Sequence, residues 1–275
     1  MDINVDGIRD LPRPSYLDCV TPESSFDHGS THVVCYRINW HDDERVLNEW
    51  ARHIRLHYER DDELVEDALR LGVSAESYLK NYRIPTSDGL GRSTRSGDFG
   101  EIVTSDLLQF MLKYEVPRYK QWLRLDRNQS GAGTDVVAYR FDASGDASKD
   151  TLLAVEVKTS SSTKNLVGTI EKAAADSLSK DPLRLGISVN YLAKQCRRCG
   201  DCRTEEELTR FLRISEKPCV TQFGASAVVG IGDIHAFLAR TDSDLPELEE
   251  ESLLLIVHRE DLAGLIRELY DRCCK

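Results

Sequence analysis

Two carboxylates and a lysine near the middle of the chain have the types and spacing needed to hold a metal ion and cleave a phosphodiester. Glu156 and Lys158 end one apolar run, and Asp135 opens the apolar run before it. Carboxylate oxygens are the ligands that Mg²⁺ prefers, and the bound ion activates water and offsets charge on phosphorus. Lys158 would orient that water or offset the charge, and the backbone carbonyl of Val157 would complete the metal shell. These residues predict a site for Mg²⁺ or Mn²⁺.

The residues around this predicted site are typical of two paired strands. Runs 134–141 and 151–158 are rich in β-branched and aromatic residues, and the segment between them supplies the Asp, Gly and Ser of a hairpin loop. Because side chains alternate between the faces of a strand, we expect Glu156 and Lys158 on the same face. Antiparallel pairing would bring Asp135 close to Glu156.

An acidic residue two positions before a lysine also occurs without any function. With 47 acidic residues in a chain of 275, composition alone predicts about two such triplets. Glu156-Val157-Lys158 is the only one in this sequence. The alternative interpretation is a surface salt bridge on a half-exposed strand. The position at the end of an apolar run, with Asp135 before it, favours the metal site.

The order of these motifs resembles the PD-(D/E)xK nuclease superfamily. The motifs are Gly100-Glu101, Gly133-Thr134-Asp135 and Glu156-Val157-Lys158, with Gly-Thr-Asp in place of Pro-Asp. More narrowly, residues 97 to 260 resemble the HamA family, the nuclease subunits of Hachiman anti-phage defence. The resemblance implies an α/β fold with a restriction-endonuclease-like core, in which helices flank a mixed central sheet.

The same resemblance implies an activity and its residues. The protein would be a Mg²⁺- or Mn²⁺-dependent DNA endonuclease, controlled by a superfamily-two helicase subunit of the HamB type. Asp135 and Glu156 would be metal ligands and Lys158 a catalytic residue. Glu101 would be a further acidic group that reaches the metal.

Glu101 also has a structural explanation. Asp98 and Glu101 have the spacing of a capping box at the start of a helix predicted over residues 98–114. Gly100 favours the active-site role, because a cap does not require glycine in the first turn whereas close approach of another segment does. The sequence leaves both interpretations open.

Segment 117–127 alternates basic and aromatic residues just before the predicted site. Its cations are Arg118, Lys120, Arg124 and Arg127. One interpretation is a strip that contacts DNA, and the other is an amphipathic element with solvated arginines. The net charge of −11 argues against a general nucleic-acid coat, since nonspecific affinity comes mostly from neutralised phosphates. It suggests that a partner delivers the DNA.

Two further clusters have the spacing of metal ligands. Four cysteines, three of them in a Cys-x2-Cys-x2-Cys run, would enclose Zn²⁺ or an iron–sulfur cluster, or would be free reduced thiols. They are Cys196, Cys199, Cys202 and Cys219. His53 and His57 lie one helical turn apart, but the sequence shows no third ligand, so packed or solvated histidines are favoured.

The predicted organisation is an α-rich, partner-binding region with one strand over residues 1–96, followed by the nuclease core over 97–275. The core carries a Cys-rich insertion at about 194–220. A loop is predicted over 87–97 and a strand over 185–191. No apolar stretch approaches the length of a membrane span, and residues 1–6 lack the pattern of a signal peptide, which predicts a cytoplasmic protein with no membrane partner.

Two other functions are compatible with these patterns. One is a non-catalytic, zinc-clipped protein-binding subunit of a nucleic-acid-processing complex, in which the acidic residues only cap helices and form salt bridges. The other is a restriction or repair nuclease outside phage defence.

Overall fold

The computed structural model describes residues 11–39, 43–131, 133–161, 166–178, 182–235, 238, 248 and 252–275. Within them, eight α-helices flank a sheet of six strands. The strands are β1 Val20–His28, β2 Thr31–Ile38, β3 Val136–Arg140, β4 Thr151–Ser160, β5 Val220–Val229 and β6 Ser252–His258. The helices are α1 Glu44–Leu56, α2 Asp61–Leu71, α3 Ala75–Tyr78, α4 Gly89–Asp106, α5 Leu166–Leu178, α6 Pro182–Arg198, α7 Cys202–Leu212 and α8 Leu262–Arg272.

The sheet is mixed, with the strand order β1-β2-β6-β5-β4-β3. The four inner strands run parallel, and each edge strand is antiparallel to its neighbour. Strands β5 and β6 are apolar and buried along most of their length, as parallel strands covered by helices on both faces must be. The predicted α/β fold with a mixed sheet flanked by helices is confirmed.

The predicted hairpin is also confirmed. Strands β3 and β4 pair antiparallel with Val136 opposite Val155. Val155 and Val157 point into the core cluster that contains the apolar residues of α1, α4 and α8. Leu152 and Ala154 point to the other face, against α6 and α7. The alternation of side chains along a strand therefore predicted correctly which residues of β4 lie on each face of the sheet.

Helix α4 lies unusually close to β4, and a glycine permits this approach. A Cβ atom on Gly100 would lie 2.1 Å from Oγ1 of Thr159 and 3.1 Å from Cγ1 of Val157. Any larger residue would have to displace these two side chains or push the helix away from the strand. The close approach expected from Gly100 is present, and it fixes the position of the next residue, Glu101, relative to the hairpin.

The boundary predicted at residues 96 and 97 falls inside α4, so it does not separate two units. The N-terminal region also contributes two strands rather than one, and β2 pairs with β6 from the C-terminal part. The residues of the predicted loop 87–97 belong mostly to α4, whose helical turns place Thr94 and Asp98 on a buried face. This segment is rich in glycine and serine, which have low helix propensity, so its composition did not predict a helix.

The strand predicted over residues 185–191 is wrong, because this segment lies in α6. Leu185 and Val189 are four residues apart and pack together against the sheet, while Ile187 between them is exposed. Short apolar runs are ambiguous between helix and strand. Within the residues described, no helix combines the length and apolar character needed to cross a membrane.

The contact at Gly100 yields a stability prediction. Gly100→Ala should lower the free energy of unfolding by about 1 to 3 kcal/mol, because the added methyl group overpacks the α4–β4 interface. Gly97→Ala in the same helix is the matched control, since nothing lies within 4 Å of its Cβ position. The control should be neutral or stabilising by up to about 1 kcal/mol. Urea unfolding of both variants measures the difference, and equal stability would contradict the tight contact.

Candidate functional site

The open end of the β3–β4 hairpin gathers the predicted carboxylates. The pairing of Val136 with Val155 is the last of the hairpin, and Asp135 and Glu156 are the next residue on each side of it. One carboxylate oxygen of Asp135, Oδ2, accepts a hydrogen bond from the backbone N–H of Val157 at 3.0 Å. The backbone amide of Val157 therefore orients Asp135, and the predicted role of its carbonyl as a metal ligand stays a prediction.

Lys158 lies beside Glu156 on the same face of β4, as predicted. Its Nζ atom is 3.7 Å from Oε2 of Glu156 and 2.8 Å from Oδ2 of Asp176 on α5. Burial opposes the charge, but the hydrogen bond to Asp176 and the nearby Asp135 and Glu156 carboxylates raise the pKa of Lys158. Asp176 could not be predicted as a partner of Lys158, because its helix follows β4 without a recognisable spacing.

Glu101 reaches the same region from α4. Nζ of Lys120 lies 2.9 Å from Oε1 of Glu101 and 3.1 Å from Oδ1 of Asp135, so one ammonium group joins the two carboxylates. Gln121 donates from Nε2 to Oε2 of Glu101 at 2.9 Å. The capping interpretation of Glu101 is wrong, because α4 begins at Gly89 and Asp98 lies well inside it.

Burial and charge set the protonation of this group. Burial raises the pKa of Glu101, with Lys120 opposing and Asp135 adding to the rise. Burial also penalises the charged form of Asp135, but Lys120 and the Val157 amide outweigh it and lower the pKa of Asp135. The pKa of Lys120 is raised by the two carboxylates against the effect of burial. A positive charge between the carboxylates of Glu101 and Asp135 is therefore favourable, and Lys120 supplies it.

The basic segment 117–127 does not form an exposed strip, which corrects both interpretations of it. Arg118 is 3% exposed and donates to Oδ1 of Asp106 at 2.5 Å. Arg124 binds Asp98 through two hydrogen bonds of 2.6 and 2.7 Å. Arg127 donates to the backbone carbonyls of Lys80 and Ile84. These side chains turn inward because buried acidic residues and carbonyl groups of other elements are their partners.

His53 and His57 belong to a buried network around Asp106. Nε2 of His53 lies 3.0 Å from Oδ2 of Asp106, and Tyr16 donates to the same oxygen at 2.7 Å. Arg118 donates to Nε2 of His57 at 3.0 Å. Among the described residues, only His53, His57 and Asp106 form a group of three ligand types close enough for one metal ion.

The guanidinium group of Arg118 is the positive charge that balances Asp106 in this network. Arg118 pairs with Asp106, and Gln109 accepts two more of its hydrogen bonds. His53 and His57 are buried and hydrogen-bonded in this network, and the third ligand type that the sequence did not reveal comes from Asp106 on α4.

The four cysteines are not brought together. Among the described residues, which include all four, no three of their sulfur atoms lie close enough to share a metal. Cys196 is buried near the end of α6, Cys202 is exposed at the start of α7, and Cys199 and Cys219 are half-buried. The run spans a turn between two helices, where Asp201 caps α7 by accepting from the N–H of Thr204. This geometry does not support the predicted structural Zn²⁺ or iron–sulfur site.

A cavity of about 300 Å³ opens beside the start of β3. Glu101, Lys120 and Asp135 lie on its polar side. Much of the remaining wall is apolar, and it includes Ile187 and Tyr191 from α6. Glu101 and Asp135 are thus reached through a space large enough for a small ligand or part of a polymer.

Comparison with known families decides where this chain belongs. The HamA family model matches residues 14–273, which is nearly the whole chain. The chain belongs to the HamA family. Family membership makes it a component of Hachiman antiviral defence, and every motif named above lies inside the match. A search of curated proteins gave no match.

The match also includes the N-terminal strands. The sequence resemblance extended only over residues 97 to 260, whereas the family match begins at residue 14. This agrees with the structure, in which β1 and β2 belong to the same sheet as the hairpin.

The Asp106 network predicts a loss of stability on acidification. Burial lowers the pKa of His57, so the unfolded chain binds its proton first and the free energy of unfolding falls below about pH 6.5. The pKa of Asp106 is lowered by His53 and Arg118 against the effect of burial. Its contribution is present above the unfolded pKa of about 3.9 and is lost as pH falls toward its folded value.

Chemical unfolding between pH 7.5 and about pH 2 measures both effects. His57→Gln should reduce the slope near pH 6, and Asp106→Asn should cost about 3 to 5 kcal/mol at pH 7.5 because Arg118 loses its buried partner. Glu66→Gln, which breaks an exposed ion pair with Arg70, is the control and should cost less than about 0.5 kcal/mol. A pH-independent stability would contradict this account.

Proposed function

We propose that this HamA-family chain is a metal-dependent DNA endonuclease, the effector of a Hachiman system controlled by a superfamily-two helicase subunit. The observation that carries the proposal is that Asp135, which directly precedes β3, binds the backbone amide of Val157 on β4, between Glu156 and Lys158. The order Asp, then Glu-x-Lys, on two paired strands supports a PD-(D/E)xK nuclease. Family membership supports the defence role.

The residues fit a divalent metal. Asp135 and Glu156 offer hard oxygen donors, and Glu156 is only 8% exposed. Between Asp135 and Glu101 the structure holds the ammonium group of Lys120, a cation within hydrogen-bond distance of both. A bound Mg²⁺ or Mn²⁺ would activate a water molecule and offset charge on the scissile phosphate.

The chain's own residues prepare this chemistry. The Val157 amide fixes one oxygen of Asp135, and Gln121 fixes one oxygen of Glu101. Lys158 is held by Asp176 at 2.8 Å, so its ammonium group stays charged and oriented next to Glu156. Because these groups are largely buried, their electrostatic interactions are stronger than in water.

Control by a helicase rests on the family resemblance and on charge. A chain of net charge −11 has little general affinity for DNA, so a partner that translocates on DNA would deliver it. The rival function, a protein-binding subunit with a zinc clip, loses its support because the four cysteines are not assembled.

A cleavage assay tests the nuclease proposal. Asp135→Asn and Lys158→Met should each lower the rate of DNA cleavage with Mg²⁺ by about 100-fold or more, because each removes a charge from the reacting centre. Asp146→Asn and Lys149→Met are the matched controls, since both residues lie on the loop of the same hairpin and are largely exposed. These controls should cleave like the unmodified chain.

The assay should use linear and supercoiled DNA, with and without the co-expressed helicase subunit. Circular dichroism would show that all four variants fold. The proposal fails if the unmodified chain cleaves no DNA with Mg²⁺ or Mn²⁺ in the presence of the helicase, or if both site variants keep full activity.

Lys120 generates a separate prediction for metal affinity. Its ammonium group competes with a metal ion for Glu101 and Asp135, so Lys120→Met should bind Mn²⁺ about tenfold more tightly than the unmodified chain. The metal ion must displace two charge-assisted hydrogen bonds of Lys120, and a net cost of about 1.4 kcal/mol corresponds to a tenfold change in affinity. Electron paramagnetic resonance of free Mn²⁺ measures this without any cleavage. Lys149→Met is the control; weaker binding by Lys120→Met would instead show that Lys120 positions the ligands.

A further inference from the structure

Helix α6 differs in charge from the rest of the chain. The whole sequence has a net charge of −11, yet Pro182–Arg198 contains four basic residues and no acidic one. The basic residues are Arg184, Lys194, Arg197 and Arg198. Arg184 and Lys194 are exposed, so this helix presents positive charge to an incoming ligand.

The same helix carries an exposed apolar stripe. Leu183, Ile187 and Tyr191 are 72%, 65% and 48% exposed, and their spacing of four residues places them along one side of the helix. The opposite side, with Leu185 and Val189, is buried against the sheet. Packing of the core therefore explains the buried side of α6, and the apolar stripe lies on its outer surface.

The stripe leads directly to the carboxylates. Ile187 and Tyr191 form part of the wall of the 300 Å³ cavity that also contains Glu101 and Asp135. A ligand lying along α6 would thus enter the space beside the site. The volume is at the lower end of those that enclose small ligands, which suits one nucleotide unit.

We propose that the outer face of α6 binds unpaired nucleotides of a DNA strand and guides one of them into the cavity beside Asp135. Bases would stack on Tyr191 and pack against Ile187 and Leu183. The phosphates would lie near Arg184 and Lys194. This proposal rests on the proposed nuclease function and adds its substrate class, single-stranded or locally unpaired DNA.

The chemistry of the surface distinguishes a single strand from a duplex. A duplex keeps its bases stacked inside and presents phosphates and sugars, to which exposed aliphatic and aromatic side chains offer little. A single strand exposes base faces together with phosphates, and proteins bind it through aromatic platforms in basic grooves. The alternating cationic and apolar side chains of α6 match the second pattern. A purely apolar protein partner would leave the cations unmatched.

Binding measured without metal tests this proposal independently of cleavage. Fluorescence anisotropy of the full chain in EDTA would compare a labelled oligothymidine with a duplex of equal length. We expect at least tenfold tighter binding of the single strand. Tyr191→Ala should weaken that binding about tenfold, the loss typical of one base stack. Tyr82→Ala is the matched control, because Tyr82 is 49% exposed on another element, and it should have no effect.

Further variants separate stacking from charge. Ile187→Ser should weaken single-strand binding, whereas Val65→Ser, a control that is 60% exposed on α2, should not. Arg184→Ser and Lys194→Ser should each reduce the dependence of log affinity on log salt by about 0.7. Circular dichroism would check that these surface variants fold.

Several results would overturn the proposal. They are equal or tighter binding of the duplex, no measurable binding of the single strand, and an effect of Tyr191→Ala no larger than that of Tyr82→Ala. Loss of helicase binding with unchanged DNA binding in Tyr191→Ala would assign the stripe to a protein interface instead. Single-strand binding without cleavage in Mg²⁺ would refute the nuclease function alone, and cleavage with no strand preference would refute the role of α6 alone.

Discussion

Repulsion between carboxylates is the constraint on which the rest of this structure depends. Asp135 and Glu101 share the ammonium group of Lys120, and Glu156 lies on β4 next to the Val157 amide that binds Asp135, in a region where burial strengthens electrostatic interactions. Such a group is stable only if nearby cations and N–H donors offset it. Lys120 and Lys158 are those cations. Each is held by a different part of the fold, so the site is assembled only when the hairpin, α4 and α5 are packed together.

The segment that carries Lys120 is itself held in place by ion pairs. Arg118 is anchored to Asp106 and Arg124 to Asp98, and both acidic residues lie on α4. Lys120 lies between these two anchors and binds Glu101 on the same helix. Three cations of one segment thus bind three acids of one helix. A mismatch in any of them would leave a buried charge without its partner, which explains how an irregular segment keeps Lys120 in one place.

Local patterns in the sequence predicted the parts of the site that depend on neighbours along the chain. The hairpin and the common face of Glu156 and Lys158 follow from a period of two, and both are present. The role of Gly100 followed from its lack of a side chain. By contrast, Lys120 and Asp176 could not be assigned, because their partners come from other elements and no spacing rule connects them. The sequence could not show that the basic segment is buried, for the same reason. Its acidic partners lie on another element, α4.

The basic residues of segment 117–127 are paired inside the protein, whereas those of α6 lie on its surface, where they can meet DNA. Because Arg118, Lys120 and Arg124 are paired inside the protein, they add little to the field that an approaching polyanion meets. A net charge of −11 would repel DNA, but at physiological salt such repulsion is screened beyond a Debye length of about 8 Å. Within that distance the local charge decides, and beside the cavity that charge comes from α6, which has no acidic residue. Under the proposed function, this arrangement would let an acidic protein admit a strand at one place while the rest of its surface disfavours DNA.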